Sequence, residues 1–264
     1  MSNEGLKDFH YLILVPSVDM RIDVLVNGFP LVRQNVTAGS EWQAMLDIHN
    51  VGGANQLEVT GVSLPGSVGT LDVRLRAYSE IMVVTLEDGI DLPITLGEDV
   101  PERTPEGILH LPIDEISGRL TASLTYAQLS GPTFPEVYLG DETISEELSE
   151  RGARSILRSF GDGDLSKFIM SFWARNADFA KVYGETVEQS EAAFTALVED
   201  GIVAGLPKGY ADKPVEITMW AGGRLAEVTV VDDLLIRSNK DANDEVTELS
   251  VFLGIRDGHP SVVR

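Results

Sequence analysis

The stretch "LTASLTYAQLSGPTFPEVYLGDETISEELSERGARSILRSF", residues 120–160, decides the architecture, because the apolar period changes inside it. Leu120, Ala122 and Leu124 alternate with Thr121, Ser123 and Thr125, which is the period of two that a half-buried strand needs. Pro132 and Pro135 then interrupt any continuing ladder, since proline has no amide proton to give it. Past Gly140, Thr143-Ile144-Ser145-Glu146 has the spacing of a capping box, and Leu148, Ile156, Leu157 and Phe160 follow at helical spacing, with Gly161 expected to close the helix. The chain is therefore expected to hold an all-β domain over residues 8–135 and an α+β domain over residues 141–264.

Upstream, Ile22, Val24 and Val26 alternate with Arg21, Asp23 and Leu25, and Leu71, Val73 and Leu75 with Asp72, Arg74 and Arg76. Asn27-Gly28, Gly52-Gly53, Pro65-Gly66 and Asp88-Gly89 supply turns between such runs, while "EDVPERTPEG", residues 98–107, reads as an exposed acidic loop. Many short antiparallel strands without a long helix predict a β-sandwich or jelly roll. Downstream, a second helix is predicted after Asp164, with Leu165, Phe168, Ile169, Phe172 and Trp173 on one stripe, and a third over residues 187–199. Val215, Ile217 and Met219 then alternate, Gly222-Gly223 turns, one long strand is predicted over residues 225–237, and residues 245–256 pair back through Asp257-Gly258. Helices followed by a curled antiparallel sheet define an α+β domain.

Two resemblances sharpen these expectations. Val26-Asn27-Gly28, Leu46-Asp47-Ile48 and Gly53-Ala54-Asn55-Gln56-Leu57-Glu58-Val59 resemble the hairpin and strand residues of the galactose-binding-like jelly rolls appended to many glycosidases; the likeness implies a fold, not a sugar site. The stretches "SILRSFGDGDLSKFIMSFWARNADF" (155–179), "YGETVEQSEAAFTALVED" (183–200) and "TELSVFLGIRDGHPSVVR" (247–264) resemble the NTF2-like, or SnoaL-like, superfamily. That resemblance implies a cone-shaped pocket with Phe172, Trp173, Tyr183 and Trp220 on its wall, and a domain that pairs through its sheet into a homodimer.

Composition narrows the partners. Of 264 residues, 20 are basic and 42 acidic, a net charge of −22 that repels phosphate backbones and anionic lipid alike. The excess is spread along the chain, with 7 basic against 19 acidic residues up to Gly140 and 13 against 23 after it, so it reads as a solubilising surface or as one that attracts a basic protein. The absence of cysteine rules out disulfides, thiolate metal sites and a cysteine nucleophile. The N-terminal apolar run, Tyr11 to Pro16, is too short for a signal peptide or a membrane span, so the expected location is cytoplasmic.

Motifs for chemistry are sparse. His10, His49, His110 and His259 show no metal-ligand spacing, and no phosphate loop or nucleophile elbow occurs, so no metal or cofactor is expected. "DLLIRSNKDANDEVTEL", residues 233–249, is acidic, but counted from Asp241 it places Val246 and Phe252 where a calcium loop needs glycine and glutamate, so it reads as a hairpin loop. In an uninterrupted strand over residues 225–237, Ala226, Val228, Val230, Asp232, Leu234 and Ile236 share one face. Burial there would raise the carboxyl pKa of Asp232 and make it a general acid or base. The reading favoured by the sequence is a non-catalytic binding protein of the bacterial immunity or inhibitor type, with an acidic surface for a protein partner or a cone for a small apolar ligand. Its alternative is a cofactor-independent isomerase, lyase or hydrolase of a small hydrophobic substrate that uses Asp232.

Overall fold

Turn chemistry and side-chain alternation set the N-terminal unit. The computed structural model describes residues 9–46, 49, 54–78, 90–91, 94–96, 108–127, 140, 142–231 and 233–264. The chain divides into two units, Met1–Pro135 and Glu136–Arg264. In the first, ten strands are described: β1 (Phe9–Pro16), β2 (Met20–Val26), β3 (Phe29–Val36), β4 (Trp42–Met45), β5 (Ala54–Ser63), β6 (Thr70–Tyr78), β7 (Ile90–Asp91), β8 (Ile94–Leu96), β9 (Leu109–Pro112) and β10 (Arg119–Ala127). They form two antiparallel sheets, ordered β4-β1-β6-β7 with β9 also on β6, and β3-β2-β5-β10-β8.

The predicted alternation is what fills the core. Ile22, Val24 and Val26 are fully buried, as are Leu71, Val73, Leu75 and Leu124, and they join Leu12, Leu14, Leu57 and Val59 in one apolar cluster fed by both sheets. Asn27 and Gly28 take φ +50° and +82°, the left-handed pair that lets a two-residue hairpin follow strand twist, and Val26 faces Phe29 across it. The Asn27 side chain also ties the corner down. Its Nδ2 donates to the His49 carbonyl at 2.9 Å and to Asn55 Oδ1 at 2.8 Å, and its Oδ1 accepts from the Gln56 amide at 2.9 Å. Gly52-Gly53, Asp88-Gly89, the acidic loop of residues 98–107 and the proline boundary of residues 131–135 lie outside the described residues.

The second unit places four helices before a curled antiparallel sheet: α1 (Glu146–Gly161), α2 (Leu165–Ser171), α3 (Trp173–Tyr183) and α4 (Val187–Ala204), then β11 (Val215–Trp220), β12 (Leu225–Val230), β13 (Asp233–Leu234), β14 (Ile236–Arg237), β15 (Glu248–Leu249), β16 (Val251–Arg256) and β17 (His259–Val262). The main sheet runs β11-β12-β16-β17, with β13 also on β12 and a separate β14-β15 pair. Asp257 and Gly258, at φ +50° and +75°, make the β16–β17 hairpin. Phe160, Phe168, Phe172 and Phe194 pack as a ring cluster with centroids 4.6 to 6.3 Å apart, over Ala226, Val228, Val230, Leu253 and Val262 of the sheet.

Five sequence expectations are corrected here. The N-cap of α1 is Ser145, whose Oγ accepts from the Leu148 amide at 3.2 Å, not Thr143. The Ile144 amide is bound to the Gly223 carbonyl at 2.8 Å and its side chain is buried, so the backbone stays extended up to Ser145. Gly161 belongs to the helix, and the left-handed residue after it is Gly163, at φ +71°. A separate helix, α3, occupies the stretch between the second and third predicted helices, and α4 runs five residues past the predicted end, from a true capping box between Thr186 and Gln189. Finally, the long strand over residues 225–237 is broken. Thr229 pairs with Leu234 and Val230 with Asp233, so the chain folds back on itself between these pairs.

The acidic stretch of residues 233–249 does form a hairpin loop, closed by pairing of Ile236 with Leu249 and Arg237 with Glu248. Its acids serve the loop itself: Asp241 Oδ1 accepts from the amides of Asn243 and Glu245, and Lys240 Nζ donates to Asp244 at 2.7 Å. Asn239 closes the end of α4, its Nδ2 donating to the carbonyls of Ala204 at 3.0 Å and Leu206 at 3.1 Å. No helix among the described residues is long and apolar enough to cross a membrane.

Candidate functional site

A break in one amphipathic stripe opens the site. In an unbroken helix, Phe168, Ile169, Phe172 and Trp173 would share a face. The helix instead stops at Phe172, whose φ and ψ of −101° and 10° end α2 and start α3. Phe172 stays in the core at 2% exposure, while Trp173 turns outward to 40%. Asp164 fixes the start of α2 by accepting from the Lys167 amide at 3.0 Å, so the helix is held from its first turn to its break.

Trp173 then forms part of the wall of a cavity of about 260 Å³ between α1, α2, the start of α3 and the β16–β17 hairpin. Its floor is the buried Ile156, Leu253 and Val262 with Ser261 beside them, and its more exposed lining carries Lys167, Met170, Trp173, Pro260 and the hydroxyls of Ser155 and Ser171. Gly152 lets α1 come down onto this floor: a Cβ there would stand 2.9 Å from Leu253 Cδ1. The Ser171 hydroxyl donates to the Lys167 carbonyl at 3.1 Å and that of Ser261 to the His259 carbonyl at 3.3 Å, which leaves their oxygens as acceptors and orients both side chains. Lys167 is the one ionisable side chain among the described residues that line the cavity. In a chain with 42 acidic residues, a lining with an ammonium and no carboxylate favours an anionic group over a cationic one.

The opposite side of α3 anchors this wall. Asp178 Oδ2 accepts from Arg256 Nη2 at 2.5 Å and lies 3.8 Å from Arg264 Nη1, tying the helix to the β16–β17 hairpin. Burial pushes the Asp178 carboxyl above its usual range, and the two guanidiniums pull it back. Arg175 spreads over Phe179 at 4.3 Å and Phe194 at 4.8 Å and donates to Asn176 Oδ1 at 3.0 Å, with burial lowering its pKa. These contacts fix α3 against the hairpin and α4, and so hold Trp173 in place.

The predicted site residues do not assemble as one group. Of the four expected wall aromatics, only Trp173 lines this cavity. Phe172 is a core residue, with Phe194 at 4.6 Å. The Tyr183 ring stands 5.8 Å from Phe179 at the far end of α3, and Trp220 Nε1 donates to Glu227 Oε2 at 3.1 Å across the β11–β12 pair. Asp232 lies outside the described residues, and the uninterrupted pleat that would have turned it onto the apolar face does not form. Sequence reasoning missed Lys167 and Met170. Their one signal is Met170, an apolar residue three positions after Lys167 and off the buried stripe, 71% exposed. Among the described residues no group of three or more His, Asp or Glu side chains converges as a metal site would require.

A scan against models of protein families and a search of curated proteins return no match for this chain.

Proposed function

We propose that this is a non-catalytic binding protein whose C-terminal unit takes a small apolar ligand bearing one anionic group, a monocarboxylate being the simplest. The observation that carries the reading is the lining itself: Trp173, Met170 and an aliphatic floor for the apolar body, three hydroxyls and the Lys167 ammonium for the head, and no carboxylate among them. At about 260 Å³ the space is near the lower end of the roughly 300–1,000 Å³ typical of ligand pockets, so the ligand is fragment-sized. The order of helices and then curled sheet accords with an NTF2-like domain, in which an internal pocket is the usual site, and we assign the first unit to a jelly-roll-like sandwich that scaffolds rather than binds sugar.

Acid–base catalysis through Asp232 is the weaker reading. Neither a carboxylate nor an imidazole is among the described groups that line the cavity, so the described lining holds no group of the usual strength to take a proton from a carbon or activate water.

Calorimetry with octanoate and octanamide tests the proposal. Octanoate binds and octanamide binds at least about tenfold more weakly, the size of one charge-assisted hydrogen bond. Lys167→Met removes that difference, and Trp173→Ala weakens both ligands. Equal affinity for acid and amide, or no binding of either to the unaltered protein, contradicts it.

A further inference from the structure

Apolar residues in turns break the usual grammar of exposed loops, and in the N-terminal unit several do so at one place. The β5–β6 loop, "SLPGSVG" (63–69), lies against the β9–β10 turn, "IDEISG" (113–118). The Gly66 amide donates to the Glu115 carbonyl at 2.9 Å, the Ser63 amide to the Gly118 carbonyl at 2.8 Å, and the Ile113 amide to the Gly69 carbonyl at 3.0 Å. Asp114 Oδ1 accepts from both the amide and the hydroxyl of Ser117, at 2.7 Å each, and those bonds hold its carboxyl below the usual carboxylate range. The β1–β2 turn joins the same end, with Ser17 and Thr70 exchanging bonds of 2.9 and 2.7 Å.

On this braced platform stand Leu64, Val68 and Ile116, exposed to 79%, 73% and 89%, with Val62 beside them at 47%. Three of the ten exposed large apolar side chains among the described residues thus gather on two turns, with a fourth, Val62, at the adjoining end of β5, where scattered exposure would be the ordinary outcome. None of the four is needed for the turns: the bonds that fix them are backbone bonds and those of Asp114, Ser117 and Ser63. The turns themselves carry Asp19, Asp114 and Glu115 and no basic residue, while Arg21 of β2 and Arg119 of β10 flank Val62 on the adjoining strands.

We infer that this tip is a docking surface for a protein partner that offers an apolar socket edged by lysine or arginine. Leu64, Val68 and Ile116 enter the socket, and Asp114 and Glu115 meet its basic rim. The carboxylates and the net charge of −22 select a basic rim over an anionic lipid surface or nucleic acid. The backbone bonding means that little order has to be imposed on binding, which lowers its entropic cost. The inference stands on a different unit from the ligand cavity and is independent of it.

A peptide display library with a fixed three-residue aliphatic centre and fully randomised flanks, panned against the full-length protein, tests this. Enriched peptides carry lysine or arginine in their flanks, lose affinity by about tenfold or more on Ile116→Asp or Leu64→Asp, and weaken as salt rises. Both variants change largely exposed positions, and an unchanged melting temperature confirms that each remains folded. Enriched peptides that bind Ile116→Asp equally well, or that carry neutral or acidic flanks, overturn the inference, as does a library that yields nothing. Two further results also overturn it: self-association in sedimentation that Ile116→Asp abolishes, which makes a second copy the occupant, and flotation with phosphatidylcholine vesicles that Ile116→Asp abolishes, which makes it a membrane.

Discussion

Tyr210 carries a pH dependence that no motif announces. It is 3% exposed, and its hydroxyl donates to the Leu234 carbonyl at 2.6 Å. Burial and then the Asp233 carboxylate push its pKa from 10.0 up to about 12. The folded state therefore holds the proton more tightly than the unfolded chain, so this contribution to stability is whole below pH 10.0 and is lost as pH rises through about 12. In a tyrosinate absorbance titration, Tyr210 ionises late, and Tyr210→Phe removes that late step. The same variant leaves the Leu234 carbonyl without this donor and should cost about 1–3 kcal/mol in chemical denaturation. Retention of the late step in Tyr210→Phe would assign it elsewhere. The contrast with Asp232 is instructive at this scale. Its proposed role depended on the parity of a strand, and one fold-back between Val230 and Asp233 removes the parity. Lys167 had no such signal, because a surface lysine on a helix is the commonest of neighbours; only the outward turn of Trp173 gives it a cavity to serve.

Among elements, the strand alternations were legible and the interruptions were not. Ile22, Val24 and Val26, or Leu71, Val73 and Leu75, are buried by period alone, since each strand has one face on the core. The α2–α3 break was hidden because Phe168 and Phe172 keep helical spacing up to it, and the change of direction costs no residue of the pattern. Helix α4 shows a further constraint that spacing does not reveal. A Cβ on Gly201 would lie 2.1 Å from Thr247 Oγ1 and 2.4 Å from Thr247 Cβ, so glycine is what lets the helix lie on the base of the acidic loop. That base is itself fixed, since the Thr247 amide and carbonyl bond to Ser238 at 2.9 Å each. Gly201→Ala gains up to about 1 kcal/mol of helix propensity and loses roughly 1–3 kcal/mol to overpacking. We expect a net loss of stability in thermal or denaturant unfolding; a more stable variant would mean that Thr247 yields freely and the contact is loose.

For the whole molecule, the sequence placed the change of architecture near residue 140 because period two and period 3.6 cannot be confused over stretches this long. What it left open was where chemistry gathers. The fold collects Lys167, Met170 and Trp173 with Ser155, Ser171 and Ser261 from four elements, and none of these residues is notable alone. The strong negative charge makes the described lining of this cavity an exception rather than a sample of the surface. The most direct test of the central claim is a backbone amide NMR titration of the protein with octanoate. The account predicts saturable shifts concentrated at Gly152, Ser155, Lys167, Ser171, Trp173 and Ser261, absent with octanamide at the same concentration. Shifts that are absent, that never saturate, or that fall on other residues would contradict it.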